Sequence, residues 1–266
     1  MDNNSPQAMQ TINIVHILED YSHQSGGLRT VVKDLHTRLV SNGVNSSIVT
    51  TRKEKTDDVL QVKGGDKLWC FSKNLVHVLN DLNTTQKIDV IHIHGVWMYP
   101  QYAAAKYAFR NKIPFIISCH GMYEPWLWEN KRFKKKIYFR YIVKNIFSKA
   151  KYFHAITQQE RRELQKLFPK TNVRELPNLI ESIPLNEDTP EFNKKYILYL
   201  GRINNKKGID ILIKAFANIE NTKLKLKIAG GFSNYQKDLE RQVKQLQLED
   251  KVEFLGLVTG NEKETL

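Results

Sequence analysis

A histidine stands beside a glycine at the end of two apolar, β-branched runs. HIHGVW carries His92, His94 and Gly95, and SCHGMYEPW carries His120. An imidazole donates or accepts a hydrogen bond near neutral pH, which suits binding of sugar hydroxyls or a phosphate. Side chains alternate along a strand, so His92 and His94 share a face and His94 lies nearest the carboxyl end. Such a pair could ligate a metal, but no third ligand with suitable spacing follows, and no metal is expected. His92 reads as a hydrogen-bonded structural residue and His94 as a functional one. Two successive strand–helix loops that deliver His94 and His120 to one crevice are the strongest physical hint in the first half.

Two other sets of residues could hold an anion. Gly26 and Gly27 follow the first strand and directly precede a helix. Glycines there let the backbone approach a phosphate while the helix N-terminus supplies amide donors. The pair is not a G-x-G-x-x-G fingerprint, and a tight turn before a helix explains it equally well. In the second half, LGRINNKKG places Arg202 with Lys206 or Lys207 after a strand, facing a crevice between lobes where a diphosphate could be clamped. Charge-assisted bonds of this kind contribute roughly 1.5–3 kcal/mol each. The competing reading is a solvated basic turn.

From Lys131 to Lys151 there are nine basic residues and no acidic one, with Phe, Tyr and Ile interleaved. Arg132, Lys136, Arg140 and Lys144 form an i, i+4 row on a helix, and Trp126 and Trp128 lie just upstream. Basic and aromatic residues together suit an anionic lipid interface. Apolar positions surround the whole helix, so much of it is expected to be core.

The elements that must position these residues follow from periodicity. Thr11–Leu18, NSSIVTT, Ile88–His94, Pro114–Cys119 and Lys151–Thr157 are short and β-branched, as buried strands are. Helical patterns lie between them. In one, Leu28, Val31, Val32, Leu35 and Leu39 fall on one face, and Gly43 stands at a C-terminal cap position. Strands alternating with helices imply βαβ units, hence an α/β fold with parallel sheets covered on both faces. From Leu179 to Asn193 the pattern breaks, and the rhythm restarts at KYILYLGR. The expected organisation is a first Rossmann-like domain over 1–185, a linker over 186–194 and a partial second domain over 195–266. The second has three strands, fewer than a doubly wound sheet usually has.

Composition narrows the class. The chain has 266 residues, is 41% apolar and 26% charged, and carries a formal charge of +13. That is globular composition, and its charge favours anionic partners. Cys70 and Cys119 show neither metal-ligand spacing nor a disulfide framework. MDNNSPQAMQ lacks the pattern of a secretory leader, and no run approaches the roughly 18 apolar residues of a spanning helix. A cytoplasmic protein is expected, peripheral at most on the membrane's cytoplasmic face.

With these residues in view, the sequence resembles glycosyltransferase family 4, retaining enzymes of the GT-B fold. The most specific piece is LYLGRINNKKGIDILIKAFA with the following LKIAG and FLGLV, which is similar to the start of that family's donor-binding lobe. SCHGMYEPW with its basic helix resembles a subgroup active in bacterial surface-polysaccharide assembly, covering lipopolysaccharide and capsule. The resemblance implies two Rossmann-like lobes, the second truncated. It implies Gly26 and Gly27 at the donor phosphate, His120 as the active-site histidine, and Arg202 and Lys207 neutralising the leaving diphosphate. His94, Trp97 and Asn178, the last within LPNLI, become sugar or acceptor contacts. It further implies transfer from a nucleotide-sugar donor to a lipid-linked or saccharide acceptor. No cofactor, metal or nucleic-acid partner is implied. The family's glutamate-bearing segment would follow the last strand present, and Glu262 and Glu264 stand in the wrong context to replace it. The rivals are a truncated remnant or binding module without turnover, and a nicotinamide-dependent oxidoreductase, which lacks its fingerprint.

Overall fold

The computed structural model describes residues 11–22, 25–52, 59–65, 68–128, 132–179, 196–219, 223–258, 262 and 266. The linker 186–194, Lys131 and Glu264 lie outside the described residues. The chain divides into two units, Met1–Ser182 and Ile183–Leu266.

In the first unit, seven strands form a wholly parallel sheet in the order β3-β2-β1-β4-β5-β6-β7. They are β1 (Asn13–Leu18), β2 (Asn45–Thr50), β3 (Val59–Gln61), β4 (Val90–His94), β5 (Phe115–Ser118), β6 (Tyr152–Ala155) and β7 (Val173–Glu175). The order changes direction at β1 and β4, and in such sheets the crevice lies outside the carboxyl ends of the strands beside that point. The strands are apolar because both faces are covered: Val15, Ile17, Ile91, Ile93 and Ile117 are fully buried. Helices α1 (Gly27–Ser41), α2 (Leu75–Gln86) and α3 (Tyr99–Arg110) lie between the early strands in sequence, and Ala103, Ala104, Ala105 and Ala108 let α3 approach the sheet closely. The strands and helices read from periodicity are all found here. Three elements have no clear signal in the sequence. β3 and β7 are three-residue edge strands, and α2 follows Asn74, which makes no side-chain cap.

The basic segment is not one regular helix. It comprises α4 (Arg132–Ile137), a π-helical stretch over Tyr138–Val143, and α5 (Lys144–Phe147). Phe139, Val143 and Phe147 are buried, whereas Phe133, Ile137 and Tyr141 are 82%, 57% and 74% exposed. After β6 comes α6 (Gln158–Leu167), whose start is fixed by an N-cap. The Thr157 hydroxyl accepts from the Glu160 backbone N–H at 3.1 Å.

The second unit has a parallel sheet ordered β10-β9-β8, from β8 (Tyr196–Leu200), β9 (Lys225–Ala229) and β10 (Val252–Gly256). Helices α7 (Ile209–Ala217) and α8 (Asn234–Gln245) close a separate core around Ile209, Ile213, Leu226, Ile228 and Leu239. Among the described residues, no helix is long and apolar enough to cross a membrane.

Candidate active site

Strand register builds the site. His16 of β1 lies opposite His92 of β4, His94 opposite Ser118 of β5, and Ser118 opposite His154 of β6. One face of the sheet therefore carries a polar stripe through an otherwise apolar interior. Buried polar groups need partners, and each of these side chains has at least one. His16 Nδ1 lies 3.0 Å from His94 Nε2, and His94 Nδ1 lies 3.1 Å from His120 Nε2. A second chain runs from His92 Nε2 to Ser118 Oγ at 2.8 Å, on to His154 Nδ1 at 2.7 Å, and from His154 Nε2 to the Leu176 carbonyl at 2.6 Å. A carbonyl only accepts, so His154 donates from Nε2. In its neutral form it accepts the Ser118 hydroxyl at Nδ1, and Ser118 in turn accepts from His92.

Burial holds His16, His92, His94 and His120 neutral. It lowers His16 to about 3 and His120 to about 4 from an ordinary 6.5, and pushes His92 and His94 well below that value. His94 is only 1% exposed and uses both ring nitrogens on other histidines, so its route to a ligand is through His120. His92 is the hydrogen-bonded structural residue expected from its position.

The His120 loop is tightly specified. His120 has φ of 52°, in the left-handed region that non-glycine residues rarely occupy, and Gly121 follows at 73°. Glu160 secures the turn. Its Oε1 accepts from the Gly121 N–H at 2.7 Å and its Oε2 from the Ile156 N–H at 2.8 Å. Gly95 at the tip of β4 has φ of +85°, and a Cβ there would lie 3.1 Å from Gln101 Nε2. That amide needs the space, because it donates to the His94 carbonyl at 2.9 Å and to Glu19. Glu19 follows β1 directly, and burial raises its pKa.

Sequence spacing finds no third ligand for His92 and His94, yet strand pairing supplies one. His16, His92 and His94 offer nitrogens within 4.8 Å of one another. The search along the chain misses it because register, not sequence distance, sets the neighbour. As they stand, His16 and His94 are hydrogen-bonded to each other, and His92 is bonded to Ser118.

Other expected residues fall as follows. Gly26 caps α1 at φ 68° and ψ −131°, a conformation open essentially to glycine alone, and Gly27 has open space where a Cβ would stand. Trp97 donates its indole N–H to the Met122 carbonyl at 3.1 Å and packs edge-on against Tyr123 and Trp128. Asn178 follows β7 with a buried Oδ1 that has no partner among the described residues. Arg132, Lys136, Arg140 and Lys144 are all exposed. Arg132 and Lys136 line a cavity of about 480 Å³ with Trp128, Tyr123 and Lys166. The side chain of Trp126 lies outside the described residues. In the second unit Arg202 and Lys207 are exposed at the carboxyl end of β8, and the side chain of Lys206 is outside the described residues. Histidines 16 and 154, Ser118, Glu19 and Glu160 were not legible as site residues. Only Glu160 carries a local signal, the capping-box spacing TQQE.

Comparison with known proteins adds the following. The family model Glycosyltransferase Family 4 matches residues 25–182, and Glycosyl transferases group 1 matches 181–266. An alpha-monoglucosyldiacylglycerol synthase of Streptococcus pneumoniae is 23% identical over 284 residues, covering 92% of this chain. The chain spans 61% of that relative's length. The structure is similar to sucrose-phosphate synthase from Thermosynechococcus elongatus, with TM-score 0.69, 16% identity, and coverage of 96% of this chain and 72% of that one. It also resembles a variant of S. aureus TarM determined with UDP and alpha-GlcNAc-glycerol, with TM-score 0.65, 11% identity, and coverage of 93% and 78%. At such identities these likenesses establish the fold, which is GT-B.

Proposed function

The chain belongs to glycosyltransferase family 4, and from that membership we propose that it serves transfer of a sugar from a nucleotide-sugar donor to a lipid-linked or saccharide acceptor. The observation that carries this reading is the His94–His120 pair, hydrogen-bonded at 3.1 Å at the carboxyl ends of β4 and β5 beside the change in strand order. His120 contacts the transferred sugar. Gly26 and Gly27, at the N-terminus of a 15-residue helix, receive a donor phosphate on backbone amides. Arg202 and Lys207 neutralise the departing diphosphate, so the step needs no metal. Transfer proceeds with retention of anomeric configuration, the departing phosphate assisting deprotonation of the acceptor.

A lipid-linked acceptor is supported by two observations. The curated relative makes a glucosyl lipid, and the segment Arg132–Phe147 exposes aromatic and basic side chains together. A product in surface-polysaccharide assembly, lipopolysaccharide or capsule, fits the same features. The enzyme then works peripherally on the cytoplasmic face of the membrane.

Nucleotide release from a panel of nucleotide sugars, with lipid and saccharide acceptors, tests the proposal. His120→Ala is expected to lower release by about 100-fold or more, the scale on which a lost transition-state donor acts. Arg202→Ala with Lys207→Ala is expected to weaken nucleoside diphosphate binding by at least about tenfold. Nucleotide-sugar binding without release for every acceptor would replace transfer by a binding role. Unchanged release by His120→Ala would remove that residue from the site.

A further inference from the structure

Buried histidines joined ring to ring constrain where each proton sits. A neutral imidazole has one N–H and one bare nitrogen, so along the chain His16–His94–His120 the choice at one end fixes the other. Two arrangements are available. In the first, His16 donates from Nδ1 to His94 Nε2, and His94 donates from Nδ1 to His120 Nε2. His120 then carries its own proton on Nδ1. In the second every bond reverses, and His120 Nδ1 is bare.

The inner end of the chain decides between them. His16 is fully buried and its Nε2 has no partner among the described residues. The second arrangement places a proton on that nitrogen and leaves an orphaned N–H donor in the interior. The first leaves only an unused acceptor, which native structures tolerate more readily. At the outer end, His120 is partly exposed and its Nδ1 has no partner among the described residues.

We propose that His16 is a positioning residue that acts through His94 to hold His120 in the Nδ1–H tautomer, so that His120 meets its ligand as a hydrogen-bond donor and not as a base. The role at the ligand rests on the glycosyltransferase reading; the tautomer does not. An N–H at this place suits an acceptor oxygen, a sugar hydroxyl or a phosphate. Because burial keeps His120 neutral, the donor persists across the physiological range without adding charge. His16 thereby influences chemistry it does not touch.

The test is nitrogen-15 NMR of the histidine rings in the free protein, which distinguishes Nδ1–H from Nε2–H. His120 is expected as Nδ1–H. His16→Leu removes the donor, and His120 should lose that preference. His16→Asn supplies an amide N–H where Nδ1 stood and should restore it. Where transfer is measurable, His16→Leu should weaken it by about 2- to 10-fold, as a donor tautomer becomes only partly populated, and His16→Asn should recover most of the loss. His120 found as Nε2–H in the unsubstituted protein overturns the proposal, even if His16→Leu does not fold. So does a folded His16→Leu in which the His120 tautomer is unchanged. A protein inactive in transfer but carrying the expected tautomers would defeat the enzymatic reading and leave the relay standing.

Discussion

At the scale of single residues, the site depends on a carboxylate outside it. His120 occupies a left-handed conformation, and the turn that carries it is tied to α6 by Glu160, which holds the Gly121 and Ile156 amides on its two oxygens. Glu160 is 4% exposed, so water cannot readily replace it. Glu160→Ala leaves two partly buried N–H groups unpaired, at roughly 1–3 kcal/mol each. A loss of about 2–6 kcal/mol is therefore expected in urea unfolding. Glu160→Gln keeps one acceptor oxygen and should lose about half as much. If Glu160→Ala unfolds at the same urea concentration as the parent, the tether contributes nothing. The sequence shows the capping spacing that starts α6, but not that the same side chain reaches 39 residues back to Gly121.

At the scale of elements, legibility divides by whether a signal is local. The strands β1, β4, β5 and β6 are readable because two-sided burial demands continuous β-branched runs, and the histidine at the tip of β4 is readable with them. The basic segment is different. Apolar positions all around it suggest core, and three of them are buried: Phe139, Val143 and Phe147 pack inward. The π-helical stretch interrupts the regular spacing between Ile137 and Lys144, so no single helical period assigns the rest. Phe133, Ile137 and Tyr141 stay exposed beside Lys134, Lys136 and Arg140. Each Lys or Arg near an anionic lipid surface contributes about 1 kcal/mol, and the aromatic rings add insertion. Co-sedimentation with vesicles containing anionic lipid is accordingly expected, with little on neutral vesicles. Phe133→Ser with Tyr141→Ser should reduce it about tenfold without changing the unfolding midpoint. Equal binding to both vesicle types would sink the electrostatic part of this reading.

At the scale of the whole molecule, the histidine cluster is a product of topology, which sequence cannot supply. His16 is 76 residues from His92 and 78 from His94, and only the parallel pairing of β1 with β4 brings them together. That assembly has a consequence for the stability of the first unit. His16 and His120 titrate at about 3 and about 4 when folded, but near 6.5 when the chain is unfolded. Between those values the unfolded state binds more protons, so stability is full above about pH 6.5 and falls as the solution is acidified. At pH 5.5 each of the two removes on the order of 1 kcal/mol. Burial of His92 and His94 acts in the same direction. The raised pKa of Glu19 works in the opposite sense. Tryptophan fluorescence follows this unit alone, since Trp69, Trp97, Trp126 and Trp128 all lie within Met1–Ser182. Urea midpoints should drop clearly between pH 7.5 and 5.5. His16→Asn, which keeps a polar group but removes one titrating ring, should show a shallower drop than the parent. A midpoint that does not move over this range would mean that the cluster takes up protons without unfolding, and the rings could not be held neutral by burial.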